Sequence, residues 1–221
     1  MNRGEWGVRA GRGRLLLIFG VVLVVLVGAG AAALALSDPG PAKRVCPSGE
    51  LCGEPPKLAE PLRNLESYSS STLGYSVEFS GDRWKAADQD EDSVVLESKE
   101  ADLLLILDGR PTGAAGINSM IEDRVSSLRK RIFSLERDED DDAQVLGPNV
   151  GYRDGTAQSY AGTIDTPQGA RAQLAIVLMG ASDGRVGVLA TVVTGEQNPE
   201  RRRAVFGRAD SVLNTVTWKD S

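Results

Sequence analysis

The chain has 221 residues, room for one folded domain plus a tethering segment. It carries a formal net charge of −6 and no histidine, so it lacks the commonest general base and the commonest transition-metal ligand. Residues 70–221 hold 25 acidic and 17 basic side chains; such a surface repels a phosphate backbone, and nucleic acid is excluded as its partner.

The first 14 residues are basic, with Arg3, Arg9, Arg12 and Arg14 against Glu5. Leu15 to Leu36 then runs for 22 residues without a charge. A helix of that length spans roughly 33 Å, enough for a hydrocarbon core of about 30 Å. Every backbone group in lipid must be paired internally, so the run is expected to be a transmembrane helix, with residues 1–14 left in the cytoplasm. Ala33-Leu34-Ala35 fits a signal-peptidase site, and cleavage after Ala35 is the alternative to a retained anchor. Gly28 and Ala32 form a small-x-x-x-small pair through which two such helices could dimerise.

Residues 37–72 read as an extracytoplasmic linker. Six of the chain's 10 prolines lie there, which favours an extended, semi-rigid spacer. A short helix is expected over Leu58 to Leu65. Cys46 and Cys52 are the only cysteines, and on the oxidising side of a membrane two close cysteines are expected to pair as a disulfide. A redox motif would want C-x-x-C, and a metal site would want further ligands. Intermolecular disulfides between linkers are the other alternative.

Residues 73–221 read as a folded α+β domain. Tyr75, Val77 and Phe79 alternate with Ser76 and Glu78, the pattern of a half-buried strand. Val94 to Glu97 and Leu103 to Leu107 are further strands, the second apolar on both faces like a central strand. Ser119 to Leu135 reads as a helix: Ile121, Val125, Leu128, Ile132 and Leu135 make one stripe, and Ser119 with Glu122 fits a capping box. Arg124, Arg129, Lys130, Arg131 and Arg137 are expected on its polar side. Ala157 to Ile164, Ala170 to Met179 and Arg185 to Thr194 suggest a meander of three strands. Asn198 then caps a second main helix with Pro199 at its first position. Strands, helix, strands, helix argue for an antiparallel sheet with two helices.

The run Leu73-Gly74-Tyr75-Ser76-Val77-Glu78-Phe79 followed by Trp84 resembles the opening of PsbP-like domains, including the mycobacterial LpqN-type lipoproteins. In that family a Pro-x-Gly-Trp turn follows the first strand; here the turn is Ser80-Gly81-Asp82-Arg83-Trp84, longer and without the proline. The resemblance extends over roughly Leu73 to Trp218. It implies an α/β/α sandwich and binding or assembly work at a membrane, and it brings no catalytic residues with it. From the residues alone, Tyr75, Phe79 and Trp84 are core aromatics.

Few motifs point to chemistry. Gly180-Ala181-Ser182-Asp183-Gly184 matches G-x-S-x-G, but a nucleophile elbow needs a helix after the serine and a base beside it; a hairpin turn is expected. Asp138 to Asp142, and Asp88, Asp90, Glu91 and Asp92, are acidic runs without the order of a calcium loop. Arg201, Arg202 and Arg203 make a basic spot at a helix N-terminus, where an anion could sit. The expectation is a non-enzymatic, membrane-anchored binding or assembly domain facing the cell envelope, with no catalytic residue, metal or cofactor and an envelope protein as partner. A small-molecule or lipid carrier is the first alternative, and a carboxylate hydrolase the second.

Overall fold

The alternation of apolar and polar side chains that begins at Tyr75 does set up a strand, and the sheet grows from there. The computed structural model describes residues 64–112, 116–138, 149–166 and 169–219. The 1–14 tail, the Leu15 to Leu36 segment, the linker up to residue 63, Cys46, Cys52 and residues 139–142 of the second acidic run lie outside them. Among the described residues no helix is long and apolar enough to cross a membrane.

The elements in order are β1 (Leu65–Ser69), β2 (Tyr75–Ser80), β3 (Trp84–Gln89), β4 (Ser93–Ser98), β5 (Leu103–Pro111), α1 (Gly116–Arg129), β6 (Phe133–Arg137), β7 (Asn149–Val150), β8 (Arg153–Asp165), β9 (Arg171–Ser182), β10 (Val186–Thr194), α2 (Pro199–Leu213) and β11 (Thr217–Trp218). The fold is mixed α/β, with antiparallel sheets and two helices. The large sheet has the order β3-β4-β5-β10-β9-β8-β6, with β7 paired to β8; a small sheet has the order β1-β2-β11.

Both faces of the large sheet are covered, which is why its middle strands are apolar throughout. On one face Leu103, Leu105 and Leu107 of β5 pack with Tyr75, Val77 and Phe79 of the small sheet and with Phe206, Ala209, Val212 and Leu213 of α2. On the other, Leu104 and Ile106 pack with Ile121, Val125 and Leu128 of α1. Tyr75, Phe79 and Trp84 are buried in the first of these layers. The three-strand meander is present as β8, β9 and β10, paired in register from Gly155↔Ala181 to Asp165↔Arg171 and from Gly187↔Ser182 to Thr194↔Ala175. Asn198 caps α2 as its sequence suggests: its side chain accepts from Arg201 N at 3.1 Å, with Pro199 in the first turn.

Two elements differ from the expectation. The helix expected over Ser119 to Leu135 starts earlier and stops at Arg129. Its last turn closes through Ile132 N donating to Leu128 O at 2.8 Å, and the chain re-emerges as β6 with Ser134 at φ 52°. Ile132 and Leu135 still pack in the α1 layer, so the stripe marks a shared destination reached partly by a strand. At the other end, the stretch around Leu65, expected to close a short helix within the linker, is β1, an edge strand paired with β2 from Leu65↔Ser80 to Ser69↔Ser76. Only Tyr68 of its five residues is buried, so the pleat is held by the backbone ladder and leaves little trace in the side-chain pattern.

Candidate functional site

Ser182 is the last residue of β9, and β10 begins four residues later. Asp183 organises the turn between them, its carboxylate accepting from Arg185 N at 2.8 Å and Val186 N at 2.7 Å. The Ser182 hydroxyl pairs with Thr112 Oγ1 at 3.0 Å and accepts from Gly184 N at 2.9 Å. No helix follows the serine, so the strand–turn–helix geometry of a nucleophile elbow is absent here. Gly180 serves packing: a Cβ there would lie 2.8 Å from Ile117 Cγ2 of α1 and 3.1 Å from Val188 O.

The acidic turn between β3 and β4 is a bonding node. Asp92 accepts from Ser70 Oγ at 2.5 Å and from Thr72 Oγ1 at 2.6 and 2.7 Å. Its backbone carbonyl takes the Tyr75 hydroxyl at 2.8 Å, and that of Asp90 takes the Tyr68 hydroxyl at 3.0 Å. Burial pushes the Tyr68 phenol up to about 12 and Tyr75 further, so both stay protonated donors. Among the described residues no group of three or more His, Cys, Asp or Glu side chains is placed to hold a metal ion. At the other basic spot, Arg201 and Arg203 are exposed and Arg202 is half-buried.

The most deeply placed charge is one that the sequence reading put on the helix surface. Arg124 of α1 is 4% exposed, and its Nη2 donates to Asp108 Oδ2 of β5 at 3.0 Å. Arg110 converges on the same oxygen, with Nε at 3.0 Å and Nη2 at 2.9 Å, and reaches Asp123 at 3.8 Å. Burial lowers the Arg124 pKa, Asp108 opposes that shift and Arg110 adds to it. Arg124 Nε is buried without a partner. A signal for this was present: Ile121, Arg124, Val125 and Leu128 stand at i, i+3, i+4 and i+7, so Arg124 lies within the apolar stripe. With one carboxylate bridging two guanidiniums, the cluster pins α1 to β5.

No protein-family model matches the chain, and no curated protein matches it in sequence. Solved structures similar to it include a Bacteroides thetaiotaomicron protein at 11% identity and TM-score 0.42, covering 70% of this chain; this chain spans about half of that protein, 48%. The Saccharomyces cerevisiae Ran-binding protein Mog1p matches at 10% identity and TM-score 0.42, over 72% of this chain and 97% of Mog1p. The cyanobacterial PsbP of Synechocystis matches at 12% identity and TM-score 0.35, over 73% of this chain and 96% of that protein. Likenesses at this level say nothing about activity.

Proposed function

We propose that the chain is a single-pass membrane protein whose C-terminal domain works outside the cytoplasm as a non-enzymatic binding or assembly module of PsbP-like α/β/α architecture. One observation carries the reading: a 22-residue charge-free run preceded by arginines and followed by a proline-rich stretch. The 27 residues between Leu36 and Asn64, if extended, reach roughly 85 Å. Such a tether confines the domain to a thin shell beside the membrane, raising its effective concentration toward envelope neighbours. A Cys46–Cys52 disulfide would stiffen that tether.

Cross-linking in intact cells through a C-terminal affinity tag, followed by mass spectrometry, tests the module. A discrete envelope protein joined to the 64–219 region is the expected result. Recovery of the domain alone, or holding a small molecule, would reject the assembly role and favour a carrier.

A further inference from the structure

Three large apolar side chains among the described residues stand exposed: Leu65 at 51%, Phe133 at 54% and Tyr152 at 39%. The strand registers place the first two at one end of the large sheet. Leu103, Thr194, Ala175 and Ala161 stand level across β5, β10, β9 and β8. Phe133 pairs with Thr163, two residues beyond that level. Leu65 reaches the same end through Ser80, its partner, and the turn that starts β3 at Trp84, which pairs with Ser98 beside Leu103. Asn64 O accepts there from Gly81 N at 2.7 Å. The end that presents Phe133 and Leu65 is therefore the end at which the linker enters the domain.

This end carries charge of both signs: Glu66 follows Leu65, and Asp82, Glu100 and Asp102 stand in its turns, while the side on which α1 ends is basic. α1 runs from beside Gly180 and Gly187, where Ile117 packs, down to Arg129, and Arg129, Lys130 and Arg131 are all exposed at its foot. No ion pair among the described residues holds any of the three. The acidic turn of Asp88, Asp90, Glu91 and Asp92 lies at the opposite end, where Ser93 pairs with Asp108. Phe133 follows the three cations directly and is aimed outward by an irregularity: the β6–β8 register shifts between Phe133 and Glu136, and Ser134 sits at φ 52°. Such bulges at a sheet edge re-aim side chains. Ile132, buried beside it, fixes the turn to the core.

We infer that the α1 side of this end rests on the bilayer surface: Phe133 enters the interface while Arg129, Lys130 and Arg131 engage anionic headgroups. Cations beside an apolar side chain suit an anionic lipid surface, and the acidic turn then points away from it. The inference rests on the membrane-anchored reading above. It adds that the domain lies against the membrane and does not swing freely on its linker.

The test uses the full chain in mixed phosphatidylglycerol/phosphatidylcholine vesicles, with incorporation checked first by flotation. A photoreactive benzoylphenylalanine replaces Phe133 in one variant and Tyr152, at the far end, in another. Lipid adducts at 133 are expected roughly fivefold above those at 152, falling to the 152 level in pure phosphatidylcholine or when Arg129→Gln, Lys130→Gln and Arg131→Gln are combined. Equal yields at the two positions in a chain that floats with the vesicles would overturn the inference and leave the anchor standing. Adducts from 133 to residues 37–63 of the same chain, or to a protein in native membranes in place of lipid, would overturn it too. A chain that does not float sinks both readings.

Discussion

Replacing Arg124 in two ways separates charge from volume at the α1–β5 contact. Arg124→Ala leaves Asp108 with a single partner and opens space beneath the helix, a loss expected to be about 3 kcal/mol in urea unfolding of the detergent-solubilised chain. Arg124→Met with Asp108→Leu removes both buried charges and keeps the volume, and is expected to stay within about 1 kcal/mol of the parent, because an apolar pair avoids the desolvation cost. An equal loss in both variants would mean that the ion pair, and not the packing, holds the contact. Asp210 offers a pH test. It lies in the last turn of α2, which has no basic residue, and burial raises its pKa while Asn214 Nδ2, at 3.3 Å, partly opposes this. A carboxyl that holds its proton more tightly when folded weakens the fold as pH rises through the raised value. Asp210→Asn is therefore expected to raise the melting temperature at pH 7, with the gain disappearing below the ordinary carboxylate range. A gain that persists in acid would point to a cause other than ionisation.

At the scale of elements, α1 needs two small residues beneath it. A Cβ on Gly187 would lie 2.3 Å from Thr112 Cγ2, 2.6 Å from Met120 Sδ and 2.8 Å from Ile117 Cδ1. Gly187→Val is expected to cost about 2 kcal/mol by forcing α1 off the sheet, visible as a lowered urea midpoint and faster hydrogen exchange in residues 116–129. Unchanged exchange there would show that the helix yields without strain. The elements most legible in the sequence were those with a strong one-dimensional signature: the Tyr75 alternation, the doubly apolar β5, and α2 behind Asn198-Pro199. β1 was hidden because four of its five side chains are exposed, and β3 alternates only weakly along a sheet edge. The end of α1 was misplaced because Ile132 and Leu135 reach the same apolar layer from beyond the helix, and spacing cannot separate a turn of helix from a turn into a strand. Arg124 was misread for a related reason: charge suggested solvent, while position suggested core, and the partner that settles it is Asp108, 16 residues away.

At the scale of the molecule, the described domain presents packed faces, a bonded acidic turn and a hairpin at the G-x-S-x-G run. Arg129, Lys130, Arg131 and Phe133 stand together at the end where the linker enters, and the Asp90–Asp92 turn stands at the far end, an arrangement that fits a body held close to a membrane. A place beside the membrane requires Leu15 to Leu36 to be a retained anchor with the domain outside the cytoplasm. Topology is therefore the measurement to make first: alkaline carbonate extraction of the membranes, joined to protease treatment of intact cells carrying a C-terminal tag. The account predicts a full-length chain that stays with the membrane pellet and a tag that external protease removes. A chain released by carbonate and shortened to begin near Leu36, or a tag that survives protease until the cells are lysed, would contradict it.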